Sequence, residues 1–377
     1  MENHHRYLSI ESDMFVGRRR RLKRYLVCSL QGYFPVLIKT GDRSLAVVLR
    51  TDGPHLGITG TLSVTRSDDG GKSWSDLMQV APRFDDVRNP AFGVNRNGHL
   101  VLGYWKARLH RYVEDPEGRG LQYAFNFDEY DPKRSEIPAM FTVISKDGGL
   151  TWSEERPYVS KYLSMCSPYG RIIEAPDGTL LMSVYGVPRQ KTEGVNHACV
   201  LVRSTDGGLT WEDETLVALG FNETSYAFLP NGRLLAAARC DRRYGYVATI
   251  YSDDLGRTWS KPVQITRNNE HPADLTVLTS GKVLMTFGRR VRPMGCGALI
   301  SEDNGETWNF DREVLLAGDG VEDMDLGYPS TVQLADGQIV TVLYYGSGSD
   351  ASSEQTRLRG WGKISCQAIH YREEDLL

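Results

Sequence analysis

The stretch STDGGLTW, Ser204 to Trp211, decides the reading of the fold, because it does not stand alone. The same pattern, Ser-x-Asp-x-Gly-x-Ser/Thr-Trp, returns as SDDGGKSW (67–74), SKDGGLTW (145–152), SDDLGRTW (252–259) and SEDNGETW (301–308). Its residue types suit a hairpin turn. Asp and Ser side chains bond nearby backbone amides, Gly takes a conformation closed to other residues, and Trp packs beneath. Each copy reads as a structural clasp, not a catalytic device.

A second repeat pairs a turn with an apolar run: DRSLAVVL (42–49), NGHLVLGY (97–104), DGTLLMSV (177–184), NGRLLAAA (231–238), SGKVLMTF (280–287) and DGQIVTVL (336–343). The six copies are 55, 80, 54, 49 and 56 residues apart. Each follows another strand-like run, so each marks a β-hairpin whose second strand is apolar on both faces, as an inner strand is. Six hairpins, five of them followed by a clasp, predict an all-β fold, a six-bladed β-propeller. The sixth unit lacks a clasp, and KISCQAIHYRE (363–373) with the N-terminal RYLVCSLQ (24–31) would close the ring. The long spacing reads as a loop of the second blade, roughly 107–138. The domain expectation is therefore a basic segment over 1–23 and one propeller over 24–377.

Composition agrees with a globular, turn-rich chain: 40% hydrophobic residues, 24% charged and 38 glycines among 377 residues. A net charge of −4 argues against a polyanion binder, so no nucleic-acid or membrane partner is expected. The basic run GRRRRLKRY (17–25) reads as a solvated lead-in to the first strand. The start, MENHHRYLSIESDMF, has no apolar signal core, so a cytoplasmic location is expected. The six cysteines are scattered without metal-ligand spacing and read as reduced thiols. No cofactor is expected; each Asp-containing clasp supplies too few converging oxygens for the six to eight ligands of calcium.

Hairpin geometry then selects a surface. The start of each first strand and the end of each second strand lie at one sheet edge, and in a propeller those edges converge on one mouth. Counting back from the turns gives Tyr33, Phe34, Arg88, Asn89, Tyr169, Arg171, Glu223, His271, Asp274 and Tyr328; counting forward gives Arg50, Tyr104, Trp105, Tyr185, Arg239, Arg289, Arg290, Arg292, Tyr344 and Tyr345. Several arginines at one concavity of a mildly acidic chain point to an anionic ligand, since Arg grips carboxylates through a planar fork.

At these residues the chain resembles the sialidase superfamily of six-bladed Asp-box propellers. NETSYAFLPNGRLLAAAR is similar to the family segment in which a Glu precedes a pocket Arg by about sixteen residues, which would be Glu223 and Arg239. RPMGCGALISEDNGETW resembles the segment bringing another pocket Arg, here Arg292, and GYPSTVQLADGQIVTVLYY the one carrying the catalytic tyrosine, here Tyr328. The resemblance implies an exo-acting glycoside hydrolase that releases a terminal acidic sugar from a glycan, with Tyr328 as nucleophile and Glu223 as its base. A tyrosine suits an anomeric carbon bearing a carboxylate, which repels a carboxylate nucleophile. The chain also departs from the family. GYFPVL has Tyr33 and Phe34 where the family's first clamp Arg sits, which leaves Arg50 or Arg88 to replace it. In RTDGPHLGITG the acid would be Asp52, with His55 the other group titrating near neutrality, and Asp86 and Asp274 are further candidates. Arg171, His271, Asp274 and Tyr344 complete the expected substrate-binding set. Two other functions fit the same residues: a lyase or hydrolase acting on another terminal sugar, and a propeller that binds glycans without cutting them.

Overall fold

The computed structural model describes residues 18–19, 22–29, 31–53, 55, 60–80, 86–107, 139–319, 325–346 and 364–376. Most of the N-terminal basic segment and of the expected second-blade loop lies outside the described residues. Within them the chain is all-β, a propeller-like arrangement of small sheets with only two short 3-10 turns, Phe310–Arg312 and Glu373–Leu376.

The repeating unit is a four-strand antiparallel meander. One runs through Tyr33–Lys39, Leu45–Thr51, Thr61–Ser67 and Met78–Gln79; another through Phe221–Phe228, Leu234–Cys240, Val247–Ser252 and Val263–Gln264. Glu270–Val277, Val283–Arg289, Gly295–Ser301 and Val314–Ala317 form a third, edged by Arg18–Arg19. An eight-stranded sheet consists of two such meanders, joined where Gly170 and Arg171 pair in parallel with Ala91 and Phe92. The last sheet unites the two ends of the chain: Gly327–Gln333, Ile339–Gly346 and Ile364–Tyr371 are completed by Lys23–Ser29.

The turn-plus-apolar repeats are the second strands, and their two-sided hydrophobicity has a packing reason. The cores lie between sheets. Val36, Val48 and Val64 of one sheet meet Phe92, Leu102 and Val143 of the next. In the same way Leu235 and Ala237 meet Leu275, Met285 and Phe287. A second strand therefore buries both faces, one against each neighbouring sheet.

The clasps close by side-chain hydrogen bonds. In the opening stretch Asp206 accepts from Ser204 Oγ at 2.8 Å, from Thr210 N at 2.9 Å and from Thr210 Oγ1 at 2.6 Å. Gly208 N donates to Ser204 Oγ at 2.8 Å. Corresponding bonds form at Asp69, Asp147, Asp254 and Asp303. The Thr151 hydroxyl and amide hold the Asp147 carboxyl well below the usual carboxylate range. All six cysteines are buried and unbridged.

Every first strand is irregular where it begins. Register shifts fall between Tyr33 and Val36, Arg88 and Ala91, Ser164 and Ser167, Phe221 and Thr224, Glu270 and Ala273, and Gly327 and Ser330. Phe34, Asn89 and Tyr328, each followed by proline, have φ of 53°, 51° and 51°. Left-handed backbone is strained for aromatic residues and recurs at sites that must aim a side chain. These bulges turn Phe34, Asn89 and Tyr328 toward a common space.

Candidate active site

Tyr328 opens the strand Gly327–Gln333, and the preceding glycine explains its depth. Gly327 has φ of 104°, and a Cβ there would stand 2.8 Å from the Cα of Gly288. Two glycines thus let one first strand close on its neighbour's second strand, and Tyr328 is carried inward until it is 8% exposed. Its hydroxyl donates to Glu223 Oε1 at 2.7 Å. Arg239, from the strand beside Glu223, donates through Nη1 to Glu223 Oε2 and lies 3.3 Å from the tyrosine oxygen. Tyrosine, glutamate and arginine from two sheets therefore form one hydrogen-bonded unit.

The electrostatics keep the phenol protonated at rest. Burial, followed by the negative charge of Glu223, pushes the Tyr328 pKa well above the ordinary value, and Arg239 and Arg290 counter this only in part. A phenol in that state is a weak nucleophile until a base accepts its proton, and Glu223 Oε1 stands at the right distance.

Aromatic rings surround the pair. Phe34 meets Tyr328 edge-on at 5.0 Å, Tyr344 stacks on it at 5.7 Å, and Tyr169 lies 6.2 Å away. The fully buried Tyr344 donates through its hydroxyl to Asp325 Oδ1 at 2.7 Å. His55 Nδ1 bonds the same oxygen at 2.7 Å, and its ring meets Phe34 edge-on at 4.7 Å. Burial raises the Asp325 pKa, but His55 and Tyr344 outweigh it and hold the carboxylate below its ordinary range. An empty volume lies among the bulges, bordered by Phe34, Asn89, Tyr169, Asp274 and Tyr328.

The arginines divide into two groups, and here the structure corrects the strand counting. Arg50 is fully buried, pairs with Asp86 at 2.7 Å and donates to the carbonyl of Val87, so it is no surface clamp. Asp86, counted among the candidate acids, is the buried counter-ion of Arg50 and lies 3.4 Å from Arg88 Nε. Arg88 itself is 6% exposed, with its guanidinium over the Trp105 ring at 4.6 Å. Arg171 and Asp274 are likewise engaged in the framework. Arg171 donates to the carbonyls of Leu275 and Thr331 and meets Asp274 Oδ1 at 3.1 Å. Asp274 also accepts from Ser225 Oγ at 3.0 Å and from Thr331 N at 2.7 Å. Although Asp274 borders the empty volume, both of its oxygens are occupied.

Arg290, not Arg292, is the arginine beside the tyrosine. Its guanidinium carbon is 5.8 Å from the Tyr328 ring centroid, and it donates to His271 Nδ1 and to the Leu326 carbonyl. Arg292, two residues on, is exposed. His271 accepts from Arg290, which requires a neutral imidazole; burial, then Arg239 and Arg290, push its pKa far below the ordinary value. It supports Arg290 as a neutral acceptor. Asp52 lies in left-handed backbone, φ 58°, with its amide bonded to Gln31 Oε1 at 3.2 Å. Asp325 was missed by strand counting because it precedes the strand, in DLGYPS. The residues that begin the bulges carried a readable signal, since FP, NP, SP, HP and YP open five of the six first strands.

Comparison with known proteins adds a family. The model of the BNR repeat-like domain matches residues 130–341. A sialidase of Bacteroides fragilis is 24% identical over 317 residues, 79% of this chain and 56% of the relative. The chain spans between 40% and 56% of the length of the curated relatives it matches, all of them sialidases. Among solved structures, a Dyadobacter fermentans protein of unknown function superposes with a TM-score of 0.72 at 19% identity, over 94% of this chain and 99% of that one. The Hadza microbial sialidase Hz136 superposes with a TM-score of 0.67 at 19% identity, over 93% of this chain and 67% of that one.

Proposed function

Since the chain belongs to the BNR repeat-like domain family and to the sialidase-like superfamily, we propose that it is an exo-acting glycoside hydrolase that releases a terminal acidic sugar, sialic acid or a related one, from glycans. The observation that carries the reading is the 2.7 Å bond from the Tyr328 hydroxyl to Glu223, with Arg239 against both. A glycan-binding propeller has no need of a buried phenol aligned on a base. In this reading residues 24–377 form one domain of six blades with five Asp-box hairpins, the last blade closed by the two ends of the chain.

The chemistry follows from the geometry. Tyr328 Oη bonds to the anomeric carbon as its proton passes to Glu223 Oε1, and the glycosidic oxygen leaves with the electron pair of the broken bond and a proton from an acid. Arg239 balances the charge that moves between phenol and carboxylate. Water then attacks the glycosyl-tyrosine, and the phenolate recovers its proton from Glu223. The sugar's carboxylate is gripped by Arg239 and Arg290, the two arginines that lie against Tyr328, while Arg50 and Arg171 are held by Asp86 and Asp274 and the Arg of the family's first clamp position is replaced by Tyr33 and Phe34. Two arginines in place of three favour an acidic sugar whose remaining surface packs on aromatic rings.

The test is hydrolysis of a panel of terminal acidic glycosides by the parent and by Tyr328→Phe. The parent releases the free sugar, and Tyr328→Phe loses about a thousandfold or more in turnover with an unchanged melting temperature. An unsaturated product absorbing in the near ultraviolet, no turnover by the parent, or a fully active Tyr328→Phe would each overturn the proposal.

A further inference from the structure

We propose that His55, held by Asp325, is the general acid that protonates the departing oxygen, in the place where the family places a carboxylic acid. The inference rests on the hydrolase reading. It starts from position: Phe34 meets both His55, at 4.7 Å, and Tyr328, at 5.0 Å, edge to face. The His55 side chain is 35% exposed, whereas Tyr328 and Glu223 are buried, so the imidazole stands on the solvent side, where a leaving group departs.

Orientation is equally defined. His55 Nδ1 is bound to Asp325 Oδ1 at 2.7 Å, which leaves Nε2 to carry the transferable proton. Asp325 is fixed in turn by the Tyr344 hydroxyl, and the Tyr344 ring stacks on Tyr328. Acid and nucleophile thus sit on one packed assembly. Among the described residues, the charged and titratable groups found around His55 include Asp325, Tyr33 at 5.7 Å, Tyr344 behind Asp325, and Arg290, whose charge acts on Asp325. Two of the competing carboxylates are engaged, Asp86 by Arg50 and Asp274 by Arg171, and Asp52 is the rival that remains.

In the first half-reaction the glycosidic C–O bond breaks, its electron pair stays on the oxygen, and that oxygen takes the Nε2 proton. Neutral His55 then accepts a proton from the water that attacks the glycosyl-tyrosine, so the cycle closes with His55 protonated again. Such an acid matters most where the departing oxygen is strongly basic and least where the leaving group departs unaided.

The experiment compares kcat/KM for the parent, His55→Gln, Asp325→Asn and Asp52→Asn, on a glycan and on a 4-nitrophenyl glycoside of the same sugar. An aryl leaving group needs little protonation. We expect His55→Gln to lose on the order of 10²–10⁴ on the glycan but under about tenfold on the aryl substrate. Asp325→Asn, which takes the negative partner from His55, shows the same leaving-group dependence to a smaller degree. The assignment is overturned if His55→Gln loses equally on both substrates, or if Asp52→Asn shows the leaving-group dependence instead. A parent that hydrolyses, with an inactive Tyr328→Phe and a parent-like His55→Gln, removes His55 alone. A parent that releases no sugar removes the hydrolase reading with it.

Discussion

Arg171→Met tests whether the arginines at the sheet edges serve the framework or the ligand. Arg171 reaches from the eight-stranded sheet to Asp274, the Leu275 carbonyl and Thr276 Oγ1 of one sheet and to the Thr331 carbonyl of another. Methionine keeps most of the apolar stem and removes the charge, which leaves Asp274 94% buried opposite no cation. Removing one partner of a buried ion pair costs roughly 3–5 kcal/mol. With an unfolding entropy of about 2.1 cal/mol/K per residue, that is a fall of about 4–6 °C in Tm. The pH dependence carries a sign. Burial raises the Asp274 pKa, so its protonated form is stabilising below the unfolded carboxyl value and that stabilisation is lost as pH rises through the folded one. Without Arg171 the effect grows, so the deficit should be larger at pH 7.5 than at pH 5. Chemical denaturation at both pH values is the assay, and Arg171→Met/Asp274→Asn should recover about half of the loss. A single variant within about 1 kcal/mol of the parent, or a deficit independent of pH, would refute the reasoning.

Two further outcomes follow from the same geometry. Arg290→Met should lower kcat/KM on the cleaved acidic glycoside by about a hundredfold, the worth of one charge-assisted contact, while Arg292→Met stays within about fivefold; steady-state kinetics on the two purified variants separates them, and the reverse order would restore Arg292 as the clamp. Leu235→Ala, which empties part of the core shared with Leu275 and Met285, should cost about 2–5 kcal/mol in denaturant unfolding without altering KM.

How much of this was readable in the sequence depended on whether the cause is local. The clasps are local. Ser, Asp, Gly and Thr within eight residues satisfy one another, so the letters alone disclosed the hairpins. Strand counting also brought Tyr328, Glu223 and Arg239 to one place, because the distance of a residue from its hairpin turn determines which end of the strand it occupies. The arginines were not separable that way. Counting places the Cα of Arg50, Arg171, Arg239 and Arg290 near one mouth, but a long side chain takes the counter-ion that another sheet presents, and Asp86 and Asp274 come from other strands. Asp325 and its bond to His55 join residues 270 apart, outside any repeat. The X-Pro pairs at the first-strand starts were plainly present, and their meaning became visible only with the bulges.

The most direct test of the account is to trap the intermediate. The protein is mixed with an activated glycosyl fluoride of the acidic sugar it releases, fluorinated next to the anomeric carbon so that the second half-reaction slows, then digested and mapped by mass spectrometry. The account predicts that the peptide bearing Tyr328 gains the mass of one fluorinated sugar, and that Tyr328→Phe gains none. Turnover of the same sugar with no adduct on the parent, or with the sugar on another residue, would contradict it.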